Sequence, residues 1–206
     1  MDIEEIRKDK DGNYIQISER SNLLQHEFKK TLDQSFRHLC FLSEQVILAF
    51  EKSNKNALKN IDMTDNLINQ TTNFCQKLLN KRGYEEFDKT SFVYEIVSGI
   101  EKLGDKYRLL YKYFAKSNFK ISNELVRFCF EIDEFLNDFY SLNRKFEIEK
   151  LRSIGNKGQL LLKRSDKLLE SIKKKEIKIM FYLCGITEEI YDLLEPLIGL
   201  HHEEIK

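Results

Sequence analysis

The chain has 206 residues, 34 of them Lys or Arg and 34 Asp or Glu, with one Pro, eight Gly and no Trp. That length holds one domain, or one domain built of two like halves, and so little Pro and Gly excludes an all-β fold, which needs many turn residues. Balanced charge gives no global pull toward nucleic acid, and apolar runs such as Val46–Phe50 are far too short to cross a bilayer. In chain order, residues 1–20 form an N-terminal segment in which Asp11-Gly12-Asn13 precedes an alternating Tyr14-Ile15-Gln16-Ile17. Both a small hairpin and a mobile arm fit this pattern. A first helix is predicted from Ser21 to Lys52, with Leu24, Phe28, Leu32, Phe36 and Leu39 recurring every three or four positions. A second runs from Asn56 to Arg82, where Gly83 supplies a C-cap or turn. A third covers Asp88 to Lys116, a fourth Ser122 to Phe146, and a fifth Glu147 to Ile172 with a possible interruption at Gly155-Asn156-Lys157-Gly158. A sixth spans Glu176 to Leu200, and Pro196 bends or ends its last turn.

Helices this long need apolar partners, because burial of one face supplies most helical stability. Short connections make sequential helices antiparallel, so the expected fold is an all-α bundle. The abundant Phe and Tyr provide core volume. The four cysteines, Cys40, Cys75, Cys129 and Cys184, include no C-x-x-C pair and sit in apolar stretches, as buried free thiols do. The start Met1-Asp2-Ile3-Glu4-Glu5 is unlike a signal peptide, so a cytoplasmic location is expected.

The chain echoes itself. A shift of 87 positions sets Glu101 on Glu188, Leu103 on Ile190 and Asp105 on Asp192; Leu39-Cys40-Phe41 echoes Phe128-Cys129-Phe130, and Phe50 echoes Phe139. Two three-helix units in tandem, residues 21–117 and 118–206, follow from this. Each unit carries Glu and Asp four apart on one helical face: Glu101 with Asp105, and Glu188 with Asp192. The preceding helix of each offers a second set, Asp65 with Asn69 and Asp166 with Glu170. Such pairs are weak signals alone, since about five arise by chance at this acidity. In an antiparallel hairpin, residues equidistant from the turn share a height. The midpoint of Asp65 and Glu101 falls on the Gly83 turn; that of Asp166 and Glu188 falls on residue 177. Converging oxygens would suit magnesium, manganese, iron or zinc. The competing reading makes these solvated acids paired with Lys102, Lys106 or Arg108. Gly104, in mid-helix, allows close approach of a neighbouring helix or of a ligand, and Lys173-Lys174-Lys175 is a solvated turn or a contact for anionic lipid or a partner.

The segment Glu101-Lys102-Leu103-Gly104-Asp105, within a tandem three-helix repeat, resembles the PhoU family of phosphate-transport regulators, whose motif is Glu-Arg-Ile-Gly-Asp. Glu188-Glu189-Ile190-Tyr191-Asp192 departs further, and Asn69 and Glu170 depart from the family's Asp-x-x-Ile-Asp on the preceding helix. The resemblance implies a six-helix bundle of two repeats, often a homodimer, that carries metal ions, iron or zinc among them, on Asp65, Asn69, Glu101, Asp105, Asp166, Glu170, Glu188 and Asp192. It implies a non-enzymatic, cytoplasmic role in phosphate homeostasis, exerted on a Pst- or Pit-type phosphate transporter or a sensor protein at the membrane.

Two alternatives stand beside it. One is a helical adaptor that binds no metal. The other is a di-iron carboxylate enzyme, which needs Glu-x-x-His pairs. None of His26, His38, His201 or His202 has a glutamate three residues before it.

Overall fold

The computed structural model describes residues 6–8, 14–16 and 19–205. Two short strands, β1 (Ile6–Lys8) and β2 (Tyr14–Gln16), pair antiparallel with Arg7 opposite Ile15. Of the two readings of the opening segment this is the hairpin; Asp11-Gly12-Asn13 lies outside the described residues. Seven helices follow among those residues: α1 (Glu19–Glu51), α2 (Leu58–Arg82), α3 (Thr90–Lys116), α4 (Asn123–Arg144), α5 (Ile148–Ser171), α6 (Ile177–Asp192) and the short α7 (Leu194–Leu200).

Local chemistry explains the boundaries. Gly83 takes φ 73° and its N–H bonds back to the Leu79 carbonyl at 2.8 Å, a left-handed exit that a Cβ would strain. Pro196 breaks the last predicted helix, although at a distance. Its missing N–H and its ring act on the carbonyl four residues earlier, Asp192, and α6 stops there before α7 resumes. The helix α5 runs through Gly155 and Gly158 without interruption. Gly155 has open space where a side chain would be, but a Cβ on Gly158 would lie 2.4 Å from Tyr191 and 2.8 Å from Phe135. Gly158 is therefore where α5 closes on α4 and α6.

Helices α1 to α3 pack on one another, α4 to α6 do the same, and the halves join through α1 against α4 and α3 against α6 and α7. The burial pattern repeats with the chain. Phe36, Leu39, Val46, Ile47 and Phe50 are buried, and so are Leu125, Phe128, Phe135, Leu136 and Phe139, each 89 positions later. Ile96, Leu103 and Leu110 are likewise matched by Leu183, Ile190 and Leu197 at a shift of 87. The bundle is thus two tandem three-helix repeats. One apolar core runs through both, stitched at the seam by the Phe36 ring 5.1 Å from Tyr140 and 6.0 Å from Phe139.

Equivalent helices meet antiparallel across the seam, the arrangement a two-fold relation between the halves produces. That relation explains one departure from the repeat. Lys102 and Glu189 are equivalent positions, and near a two-fold axis equivalent residues face each other, so like charges there would repel. Lys102 Nζ instead lies 3.6 Å from Glu189 Oε1, and Lys106 Nζ lies 2.7 Å from Glu189 Oε2 and 2.7 Å from the Gly185 carbonyl.

Candidate functional site

In the first repeat the helix α2 presents Asp65 to α3. Its side chain is 5 % exposed, and one oxygen lies 2.9 Å from Arg108 Nε on α3. The same guanidinium donates to Asp105 Oδ1 at 3.2 Å and reaches Asp62 Oδ1 at 3.9 Å, while Lys112 approaches Asp62 at 3.4 Å. Asn69 donates to Asp65 Oδ2 across 3.5 Å, and Gly104 admits the chain of Ile68, 3.2 Å from where its Cβ would stand. Close helix packing is therefore what Gly104 provides. Burial pushes the Asp65 carboxyl above its usual range; Arg108 opposes this, Asp105 and Asp62 reinforce it, and Lys112 opposes it more weakly. Asp65 Oδ1 and Asn69 Oδ1 are buried without a hydrogen-bond partner.

Glu101 does not join this group. It accepts a hydrogen bond from Gln76 Nε2 at 3.2 Å, farther along the helix pair. The reason is the turn. Gly83 only begins it; Phe87–Lys89 form a 3₁₀ turn before α3 starts, so the hairpin centre lies at Glu86. This slides α3 against α2 until Asp65 faces Arg108. Glu101 then stands about 10 Å farther along the axis than a common height requires, at 1.5 Å of rise per residue.

The second repeat shows the opposite displacement. The chain between Ser171 and Ile177 centres on Lys174, not on residue 177. Asp166, Glu170, Glu188 and Asp192 are all exposed. Asp166 and Glu188 flank the Cys184 thiol, which burial chiefly raises and both carboxylates raise further, while Ser165 opposes. No hydrogen bond or ion pair links any of the four to another.

These placements bear on metal binding. Among the described residues no group of three or more His, Cys, Asp or Glu side chains stands together as a metal ion requires. In the first repeat the Arg108 guanidinium lies among Asp62, Asp65 and Asp105, so a cation is already there. As the side chains stand, neither set fits a metal ion. Arg108 is named among possible ion-pair partners by the sequence, but its central place was not legible. Asp62, Lys112, Gln76 and Glu189 were missed; the signal available was the Arg108–Lys112 pair one turn apart, opposite Asp62–Asp65.

A cleft of about 400 Å³ at the far end of the bundle is bordered by Asp33, Lys89, Tyr140, Arg144 and His201. Its charged groups are engaged locally: Asp33 pairs with Arg144 at 3.5 Å and with nearby Arg37 at 2.7 Å, Lys89 pairs with Glu86 at 2.6 Å, and His201 Nδ1 lies 2.7 Å from Glu204 Oε1. Burial pushes the Cys40 and Cys75 thiols up to about 12, away from the thiolate a nucleophile needs.

The fold defines a class, that of PhoU-like tandem three-helix bundles. A solved structure that shares it is the phosphate transport system regulatory protein PhoU from Streptococcus pneumoniae, with TM-score 0.70, 18 % identity, and coverage of 88 % of this chain and 97 % of that one. At such identity the likeness establishes the fold. The sequence matches no family model and no curated protein. None of the helices among the described residues is long and apolar enough to cross a membrane.

Proposed function

We propose that this protein is a non-enzymatic regulator of phosphate uptake that works by contact with a Pst- or Pit-type phosphate transporter or with its signalling partner at the membrane. The observation that carries the reading is the match of fold over 88 % of the chain to a phosphate transport regulator, at nearly the full length of that protein. The paired charges and the raised thiols agree with a protein that binds rather than reacts. A cytoplasmic homodimer belongs to the same proposal. In its support, Met63, Asn66, Leu67, Gln70, Asn73 and Phe74 on the outward face of α2 are exposed and carry no formal charge, so two copies can meet there without opposing like charges.

A regulator built as a helical adaptor, in which Arg108 supplies the positive charge among the acids, is the form the geometry favours over one that depends on bound iron, zinc, magnesium or manganese. The test is genetic. Deleting the gene in the organism that carries it should alter the rate of radiolabelled phosphate uptake and its response to external phosphate, and the wild-type gene should restore both. Unchanged uptake at every phosphate level would refute the proposal.

A further inference from the structure

The chain is neutral overall, yet its two ends are not alike. The turns 52–57, 117–122 and 172–176 gather at one end of the bundle. There Lys55 donates to the Ser117 carbonyl, and the Ser122 N–H donates to Glu176 Oε1 at 2.6 Å. This end exposes Lys52, Lys116, Lys120 and the run Lys173-Lys174-Lys175. None of these six is in an ion pair with any described residue. The exposed acids beside them are three, Glu51, Glu124 and Glu170, and the fourth acid, Glu176, is buried with its charge spent on the Ser122 N–H. At the opposite end exposed charges of the two signs are nearer balance: Glu85, Glu86, Asp88, Glu147, Glu203 and Glu204 stand against Lys81, Arg82, Arg144 and Lys145, with Lys89 half-buried among them. Helices of this length hold the two ends about 35 Å apart. The six unpaired lysines make one end basic, while the other is near neutral.

Apolar groups lie beside the basic end. Ile177 and Phe181, one turn apart on α6, are 46 % and 69 % exposed. Lysines frame them without covering them, since Lys175 lies over the Phe119 ring at 5.5 Å and Lys178 over Tyr113 at 4.9 Å. Glu176, 1 % exposed, pins the 3₁₀ turn Lys174–Glu176 to the start of α4, so the lysine run is held in place rather than free to swing.

We propose that this end docks on an anionic phospholipid surface. Clustered lysines near such a surface gain attraction that adds from residue to residue, and an exposed aromatic–aliphatic pair beside them inserts at the headgroup level. The local positive field of this end favours approach with the basic end down. An acidic protein segment would use the lysines but would leave no role for Phe181 and Ile177 at their edge. The inference stands on the charge and apolar pattern of this chain and does not rest on a role in phosphate uptake. A null result in the genetic experiment leaves it intact, and a null result here leaves that role intact.

The test is co-sedimentation of the full chain with phosphatidylcholine vesicles, with and without about 30 % phosphatidylglycerol. Binding is expected only to the anionic vesicles, and it should weaken as salt rises. The variant K173E/K174E/K175E should partition at least about a hundredfold less, from about fivefold for each lysine lost. Phe181→Ser should weaken binding about tenfold and leave its salt dependence unchanged. All four side chains are exposed, so circular dichroism should show both variants folded. Equal binding to neutral vesicles, or undiminished binding of the triple variant, overturns the inference. So does capture of polyglutamate without capture of vesicles, which reassigns the end to an acidic protein. Release from vesicles by millimolar inorganic phosphate at constant ionic strength also overturns it, in favour of a free anion.

Discussion

Replacing Arg108 by Met removes the guanidinium that sits among Asp62, Asp65 and Asp105 and keeps most of the side-chain volume. Asp65, 5 % exposed, then has no cation at 2.9 Å. Breaking a fully buried pair costs about 3–5 kcal/mol. Three features reduce that here. Arg108 is itself 26 % exposed, Lys112 stands close to Asp62, and burial already eases protonation of Asp65. A loss of about 2–3 kcal/mol at neutral pH is expected, or a fall of about 5–10 °C in Tm for a chain of this size. Urea and thermal unfolding followed by circular dichroism measure it. The pH dependence has a definite sign. The folded-state pKa of Asp65 lies above its unfolded value, so the folded protein binds the extra proton and stability falls as pH rises through that window. The penalty in Arg108→Met should therefore shrink as pH is lowered into the carboxylate range. Asp65→Asn combined with Arg108→Met should recover most of the loss. In addition, neither millimolar manganese nor chelation by EDTA should shift the Tm of the wild type. A single variant within about 0.5 kcal/mol of wild type, or a double variant no better than the single, would refute the assignment of Arg108 as the internal cation.

Two other positions give sharp tests. Gly155→Ala should stabilise by up to about 1 kcal/mol, since α5 gains helix propensity and nothing lies within 4 Å of the new methyl. Gly158→Ala, three residues on, should instead destabilise by about 1–3 kcal/mol, because its Cβ meets Tyr191 at 2.4 Å and Phe135 at 2.8 Å; urea midpoints of the two variants should move in opposite directions. At the seam between the repeats, burial pushes the Asp133 carboxyl up, Ser43 opposes, and Glu44 and Glu134 add to the rise, while its Oδ1 lacks a hydrogen-bond partner. Asp133→Asn should thus be more stable than wild type at pH 7, and the advantage should fade as pH falls through the raised pKa, where the wild-type acid protonates; urea melts at both ends of that window decide it.

The helices were legible in the sequence because their stripes repeat at the spacing that one buried face demands. Phe36, Leu39 and Phe50 and their counterparts in α4 keep that spacing whatever fold they enter. Gly83 and Pro196 mark their turns through backbone chemistry that acts within four residues. The chemical identity of the acids and their face-sharing within one helix were legible for the same reason. What they would meet on the next helix was not. Register between two helices is set by the length and shape of the turn, and a 3₁₀ turn at Phe87–Lys89 carries no periodic signal. It moves the partner of Asp65 from Glu101 to Arg108. In the second turn the shift has the opposite sense, and Asp166 and Glu188 stand exposed on either side of Cys184. The same holds for charge. The net of zero is a property of the sequence, but only three turns folded to one end gather the lysines into a basic patch, because sign belongs to residues and clustering to where packing puts them.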